Sequence, residues 1–251
     1  MPYTARPAPI AMSEGGRSVD GMDVIMVPGL WLDASSWHDI IPALEAAGHT
    51  PHPLTMPGTG ASAEESAAIG MSDWIDAVVA EIDRHDDPVV LVGHSGGGSV
   101  VWGAADARPD RVARVIFVDS VPPHDGGAIS EFEVSGGVVP FPGWDFFDDE
   151  DVADLDAETR ARTAPLAQSV PARVPTDPIA LRDDRRHGIP VTLLMGRLDE
   201  PQLRETIAQW GPYAAEFEAI DDAEVVRLGT GHWPQFSDPA GLSAALVAAV
   251  R

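Results

Sequence analysis

Short apolar runs alternate along the chain with longer stretches of helical period. Residues 23–27 (DVIMV), 88–92 (PVVLV), 115–118 (VIFV), 190–195 (PVTLLM) and 224–228 (EVVRL) read as strands, and 49–54 as a weaker one behind a helix-capping Gly48. The runs are continuously apolar rather than alternating, which is what a strand covered on both faces requires. Between them, residues 36–47 carry Trp37, Ile40, Ile41 and Leu44 at helical spacing. Residues 72–84 place Trp74, Ile75, Val78, Val79 and Ile82 on one face behind Ser72 as the expected N-cap. Further helices are expected over 95–105, 202–210 and 238–250. Strands alternating with helices predict an α/β fold: a mainly parallel sheet of about six strands with helices on both faces.

One connection breaks this rhythm. About 70 residues separate the strand ending at Val118 from the one near Pro190, far more than an ordinary αβ loop. The stretch holds Phe132, Phe141, Trp144, Phe146 and Phe147, followed by an acidic run over residues 145–158. It reads as a lid inserted at about 120–188, apolar beneath and solvated outside. The acidic run lacks calcium-loop spacing. Residues 1–21 show neither period nor the apolar core of a secretory signal, so they read as a loose leader of a non-exported, cytoplasmic protein. The domain proper is expected over 22–251.

Composition narrows the function. Sixteen basic residues, all Arg, face forty acidic ones, for a net charge of −24. Such a surface repels phosphate backbones and anionic membranes, which argues against nucleic-acid and membrane partners. No Cys and no Lys occur. Thiolate nucleophiles, disulfides, Cys-ligated metals and Schiff bases are therefore excluded. No His/carboxylate cluster shows ligand spacing along the chain, so no metal site is expected.

The sharpest local signal is VLVGHSGGG. Gly93-His94-Ser95-Gly96-Gly97 fits G-x-S-x-G between an expected strand and an expected helix, where a nucleophile can be held in a strained turn at a helix start. Of the eight histidines, His232 in GTGHWP follows the last strand and is the candidate base, with His124 its rival. Carboxylates end two strands: Asp199 in MGRLDE and Asp119 in VIFVDS. Asp199 is the preferred partner of His232 and Asp119 the competitor. A pocket flanked by Trp31, His94 and Trp233, with Phe141 and Trp144 from the lid, points to a small hydrophobic substrate.

The segments VPGLW, VGHSGGG, VIFVDS, GRLDE and GTGHWP, in that order, resemble the α/β-hydrolase fold family. They are most similar to compact members such as the plant methylesterase and hydroxynitrile lyase branch. The resemblance implies Ser95, Asp199 and His232 as a catalytic triad. It also implies an oxyanion hole from the backbone N–H groups of Leu30 and Gly96, with Pro28 replacing the family's usual His. The implied activity is cleavage of a neutral hydrophobic ester or lactone without any cofactor. Ser95 departs from the Asp nucleophile of dehalogenases and epoxide hydrolases, and the absence of Lys departs from the hydroxynitrile lyases. The alternative is a binding or non-hydrolytic protein using the same pocket.

Overall fold

The computed structural model describes residues 21–250, so the expected leader lies almost wholly outside the described residues. In chain order the strands are β1 (Asp23–Val27), β2 (Thr50–Pro53), β3 (Val89–His94), β4 (Val112–Val118), β5 (Val138–Val139), β6 (Val170–Pro171), β7 (Val191–Met195) and β8 (Ala223–Arg227). Six of them form one sheet in the order β2-β1-β3-β4-β7-β8, and every pairing within it is parallel. The helices are α1 (Ile41–Ala46), α2 (Ala63–Ser66), α3 (Met71–Ile82), α4 (Gly96–Ala107), α5 (Asp149–Val152), α6 (Ala157–Thr163), α7 (Glu200–Ile207), α8 (Pro212–Glu218), α9 (Pro234–Ser237) and α10 (Pro239–Ala249). None of the described helices is long and apolar enough to cross a membrane.

The continuous apolar runs follow from burial on two sides. In β1, Val24 and Met26 join the core formed with Leu44 of α1 and Leu242 and Leu246 of α10. Ile25 and Val27 join the opposite core, formed with Trp74 and Val78 of α3 and Val100, Val101 and Trp102 of α4. The period-two alternation of a strand therefore serves two apolar layers. The edges look different. β2 reads TPHP, and its prolines are tolerated because it borders the sheet.

Two boundaries and one additional helix differ from the sequence expectation for identifiable reasons. β4 starts at Val112 rather than 115, because Arg114 lies inside the strand, where its Nη1 donates to Thr192 Oγ1 at 3.0 Å. α3 starts at Met71 behind Gly70 rather than behind Ser72, because Asp73 Oδ2 accepts from the Gly70 amide at 2.8 Å. α8, unexpected from the pattern, begins at the turn Gly211-Pro212 and packs Phe217 into the core.

The long segment between β4 and β7 forms a cap of short pieces. β5 and β6 pair as an antiparallel ribbon. α6 is capped by Asp156, whose side chain accepts from the Thr159 amide. Arg160 ties α5 to α6 by donating from Nε to the Leu155 carbonyl and from Nη2 to the Val152 carbonyl, at 2.9 and 2.8 Å. Beneath the cap, Arg186 reaches Asp106 of α4 and Glu216 of α8, and Trp102 Nε1 also donates to Glu216. Glu216 is pushed up by burial, yet the hydrogen bonds from Arg186 and Trp102 hold it below its ordinary range.

Backbone approaches backbone closely where β3 turns into α4. A Cβ on Gly97 would stand 2.5 Å from the Pro28 carbonyl oxygen and 2.6 Å from that of Val27. One on Gly93 would meet the Gly97 oxygen at 2.6 Å. These neighbours are backbone atoms that cannot swing aside. Gly97→Ala should accordingly lose about 1–3 kcal/mol of stability by overpacking, seen as a melting midpoint several degrees below wild type; an unchanged midpoint would mean that this contact is not constraining.

Candidate active site

The carboxyl ends of β1, β3, β4 and β8 bring together the loops that hold the polar groups, as expected for an open parallel sheet. Ser95 is the N-cap of α4, at φ 51° and ψ −124°. Trp31 after β1 and Asp119 after β4 also have positive φ, 64° and 45°. Non-glycine residues in this region cost roughly 1–3 kcal/mol each and persist only where surrounding contacts enforce them. Here three such residues cluster around one spot.

Their side chains include a continuous relay. Ser95 Oγ donates to His232 Nε2 at 2.8 Å, and His232 Nδ1 donates to Asp119 Oδ2 at 2.6 Å. The other Asp119 oxygen accepts from the Gly196 amide at 2.8 Å. Burial pushes the Asp119 carboxyl up, but the His232 hydrogen bond and charge and the Gly196 amide outweigh it and hold the group below its ordinary value. Asp119 is thus a carboxylate beside the imidazole.

Asp199 takes no part in this relay, contrary to the sequence expectation. It is the N-cap of α7, where its Oδ1 accepts from the Gln202 amide at 3.0 Å and Gln202 returns a bond to its backbone N–H. The physical reason is local: Asp199-x-x-Gln202 is a capping pair, with Pro201 in the first turn, and the side chain is spent on the helix end. Asp119 follows β4, the neighbour of β3, so its carboxylate lies one strand from Ser95. The rival base His124 is also elsewhere, with Nδ1 against the Asp125 carbonyl.

His94 supports the arrangement from below. It is wholly buried. Its Nε2–H donates to the His232 carbonyl at 2.8 Å, and its Nδ1 accepts from Gln235 Nε2 at 3.3 Å. Burial first, then the neighbouring His232 charge, lowers its pKa to about 3, so it stands as a neutral brace with a fixed tautomer. The Asp151 carbonyl accepts from the His232 amide at 2.9 Å. His232 is therefore held through its backbone as well as its ring.

The loop after β1 closes the other side. A Cβ on Gly29 would lie 3.1 Å from the Ser95 Cβ, and one on Gly96 would lie 3.1 Å from Leu30 Cγ. The amides of Leu30 and Gly96 make no hydrogen bond among the described residues. Both flank Ser95, where the chain and the N-terminus of α4 present free donors. These are the two amides to which the family resemblance gives the oxyanion role.

A cavity of about 270 Å³ opens at Ser95 and His232, lined by Trp31, Phe132, Phe146, Phe147 and Trp233 among others. A second, of about 370 Å³, runs from Ser95 past Ser120 to Trp210 and Tyr213. Trp31 and Trp233 thus stand at the first cavity, and His94 touches it while serving mainly as the brace. Phe141 and Trp144 do not line either. Trp144 packs behind the wall on Trp233, with centroids 5.0 Å apart, and Phe141 packs on Trp31 at 6.0 Å. Phe132, Phe146 and Phe147, expected only as the cap's apolar underside, are the rings that face the cavity. Asp151 also borders it, and burial pushes its carboxyl up.

Comparison with known proteins agrees with this fold. A family model described as the alpha/beta hydrolase family matches residues 24–245, and the chain belongs to that family. The probable esterase PIR7A of rice (Oryza sativa subsp. indica) is 29% identical over 236 residues, covering 84% of this chain and 81% of the rice protein. Methylesterase 8 of Arabidopsis thaliana is 31% identical over 102 residues, 39% of this chain and 38% of its own. The extracellular α/β-hydrolase of a Paenibacillus species superposes with a TM-score of 0.72 at 21% identity, covering 92% of this chain and 99% of that one. A plant esterase and a plant methylesterase are thus among the relatives of this chain, in line with the resemblance of the sequence motifs.

The His94 brace has a stability signature. Its folded pKa of about 3 lies below the ordinary imidazole value of 6.5, so below pH ~6.5 the unfolded state binds the extra proton. Its contribution is therefore complete above pH ~6.5 and is lost progressively as pH falls toward 3, on the order of a few kcal/mol. Urea unfolding of wild type and His94→Gln across that window should give a visibly flatter profile for the variant; parallel profiles would show that His94 is not the neutral brace described.

Proposed function

We propose that this chain is a carboxylic ester hydrolase that cleaves small, neutral, hydrophobic esters or lactones through an acyl-enzyme on Ser95. The observation that carries the reading is the hydrogen-bonded relay Ser95–His232–Asp119 beside two unused amides. The naming of the rice relative as a probable esterase supports the reaction class.

The geometry suits acyl transfer in two halves. His232 Nε2 takes the Ser95 proton as Oγ attacks the ester carbonyl. The carbonyl oxygen gains charge in the tetrahedral intermediate, and the Leu30 and Gly96 amides together with the α4 dipole stabilise it. Asp119 keeps the proton of His232 on Nδ1 and stabilises the ring once it is cationic. His232 then passes its proton to the leaving alkoxide, which departs as the alcohol. Water, deprotonated by the same nitrogen, attacks the acyl-enzyme carbonyl, and His232 returns the proton to Ser95 Oγ as the acid is released. Strain at Ser95 serves this by aiming Oγ at the cavity rather than at the helix.

Substrate preference follows from the walls. Aromatic rings dominate the first cavity, and Asp151, Asp119 and the net charge of −24 oppose anions. The same repulsion favours departure of the carboxylate product. The cap, residues about 120–188, acts as a lid in the sense that it supplies Phe132, Phe146 and Phe147 to that wall.

The test is hydrolysis of a short-chain p-nitrophenyl ester. Ser95→Ala should reduce activity to background, and Asp119→Asn should lower kcat by roughly 10³–10⁴ with the fold intact, because an amide no longer fixes the tautomer. Asp199→Asn should stay near wild type. Equal turnover by wild type and Ser95→Ala would overturn the hydrolase reading in favour of ligand binding, and a large loss at Asp199 alone would reassign the acid.

A further inference from the structure

At the opposite, amino edge of the sheet a second group of polar side chains converges. Asp23 opens β1, His52 lies in β2, and Glu81 and His85 belong to the last turn of α3 and the chain just beyond it. Ile25 and His52 are register partners, and Asp23 shares their side of β1 two residues earlier, which is the side that faces α3. His52 Nε2 stands 2.7 Å from Asp23 Oδ1, and His85 Nδ1 stands 3.3 Å from Asp23 Oδ2. One nitrogen from each ring and one Asp23 oxygen all lie within 4.8 Å of one another.

The outward nitrogens face a second carboxylate at longer range. His52 Nδ1 and His85 Nε2 both face Glu81 Oε1, at 4.0 and 3.6 Å. His85 Nε2 is buried and has no hydrogen-bond partner among the described residues. One carboxylate therefore sits between the inner nitrogens and a second beside the outer ones. Metal-binding histidines have this pattern: one ring nitrogen binds the ion and the other donates to a carboxylate that orients the ring. His85 Nε2 is thus left buried beside a carboxylate that it does not hydrogen-bond, a polar atom that the metal-bound tautomer, with its proton on this nitrogen, would satisfy.

We propose that Asp23, His52 and His85 bind a late first-row divalent cation, Zn²⁺ being the best fit, with Glu81 positioning both rings. Two imidazoles and one carboxylate are the nitrogen-and-oxygen donor set that Zn²⁺ accepts, with a water as the fourth ligand. Tetrahedral bonds of ~2.0–2.1 Å need ligand atoms roughly 3.3 Å apart. The inner nitrogens stand 2.7 and 3.3 Å from the two Asp23 oxygens, and one atom from each residue falls within 4.8 Å of the others, so modest ring and carboxylate rotations close the set. In the metal-bound form each neutral ring carries its single proton on the outward nitrogen, directed at Glu81, and the inner nitrogen offers its lone pair to the ion; the proton changes nitrogen through solvent with no net release. It clamps β1, β2 and the end of α3 together and takes no part in acyl transfer, which lies at the other end of β1. Sequence spacing conceals the site, because its residues come from three separate elements.

Zn²⁺ titration of the full chain by calorimetry tests this, with Co²⁺ absorption reporting the coordination. Saturation at one equivalent is expected, with tetrahedral Co²⁺ bands and no displacement by excess Mg²⁺. Glu81→Gln should weaken binding about 10–100-fold, and His52→Ala or His85→Ala by more than that. Ester hydrolysis by the same variants checks that they fold. Zn²⁺ uptake that is unchanged in both histidine variants, or that Mg²⁺ displaces, would assign binding to the acidic surface and overturn the proposal, as would the absence of stoichiometric binding.

Discussion

The position of one imidazole organises this end of the molecule. His232 is fixed by Asp119 at Nδ1, by His94 at its carbonyl and by Asp151 at its amide, while Nε2 is left to Ser95. Each anchor comes from a different part of the chain: the turn after β4, the end of β3, and the cap. The ring can therefore shift only if the sheet, the cap or both move. A long loop alone could not hold it, because few backbone contacts restrain such a segment.

That precision is reached against local cost. Ser95, Asp119 and Trp31 all have positive φ. Glycine would relieve the strain at each, but glycine carries no hydroxyl, carboxylate or indole. The surrounding contacts enforce the conformations instead. Gly97 lets the Ser95 turn press against the end of β1, Gly93 lets α4 close onto β3, and the Gly196 amide grips Asp119. Large apolar layers on both faces of the sheet supply the stability that such strain consumes.

Much of this was legible in the sequence because buried parallel strands leave continuous apolar runs, which located five strands of the main sheet; the edge strand β2, TPHP, was marked only by its place behind the helix-capping Gly48. What failed did so where local pattern and tertiary use diverge. Arg114 interrupts an apolar run, so the start of β4 was hidden until its partner Thr192 was in view. Asp119 and Asp199 both follow strands, and the order Ser, Asp, His holds for either. Only the capping pair Asp199-x-x-Gln202 marked the second as tied to its helix, and that signal was present in the sequence. Among the aromatics, composition identified an apolar cap, but which rings face the cavity depends on how the cap folds back. The amino-edge histidines were invisible for a similar reason: strand register and the end of α3 bring them together.

Covalent trapping of the nucleophile bears most directly on the central claim. Treating the protein with an organophosphonate and locating the adduct by peptide mass spectrometry should find one phosphonyl group, on Ser95, with labelling lost when His232 is replaced by Ala. Label on another side chain, or labelling of Ser95 at an unchanged rate without the imidazole, would contradict the account.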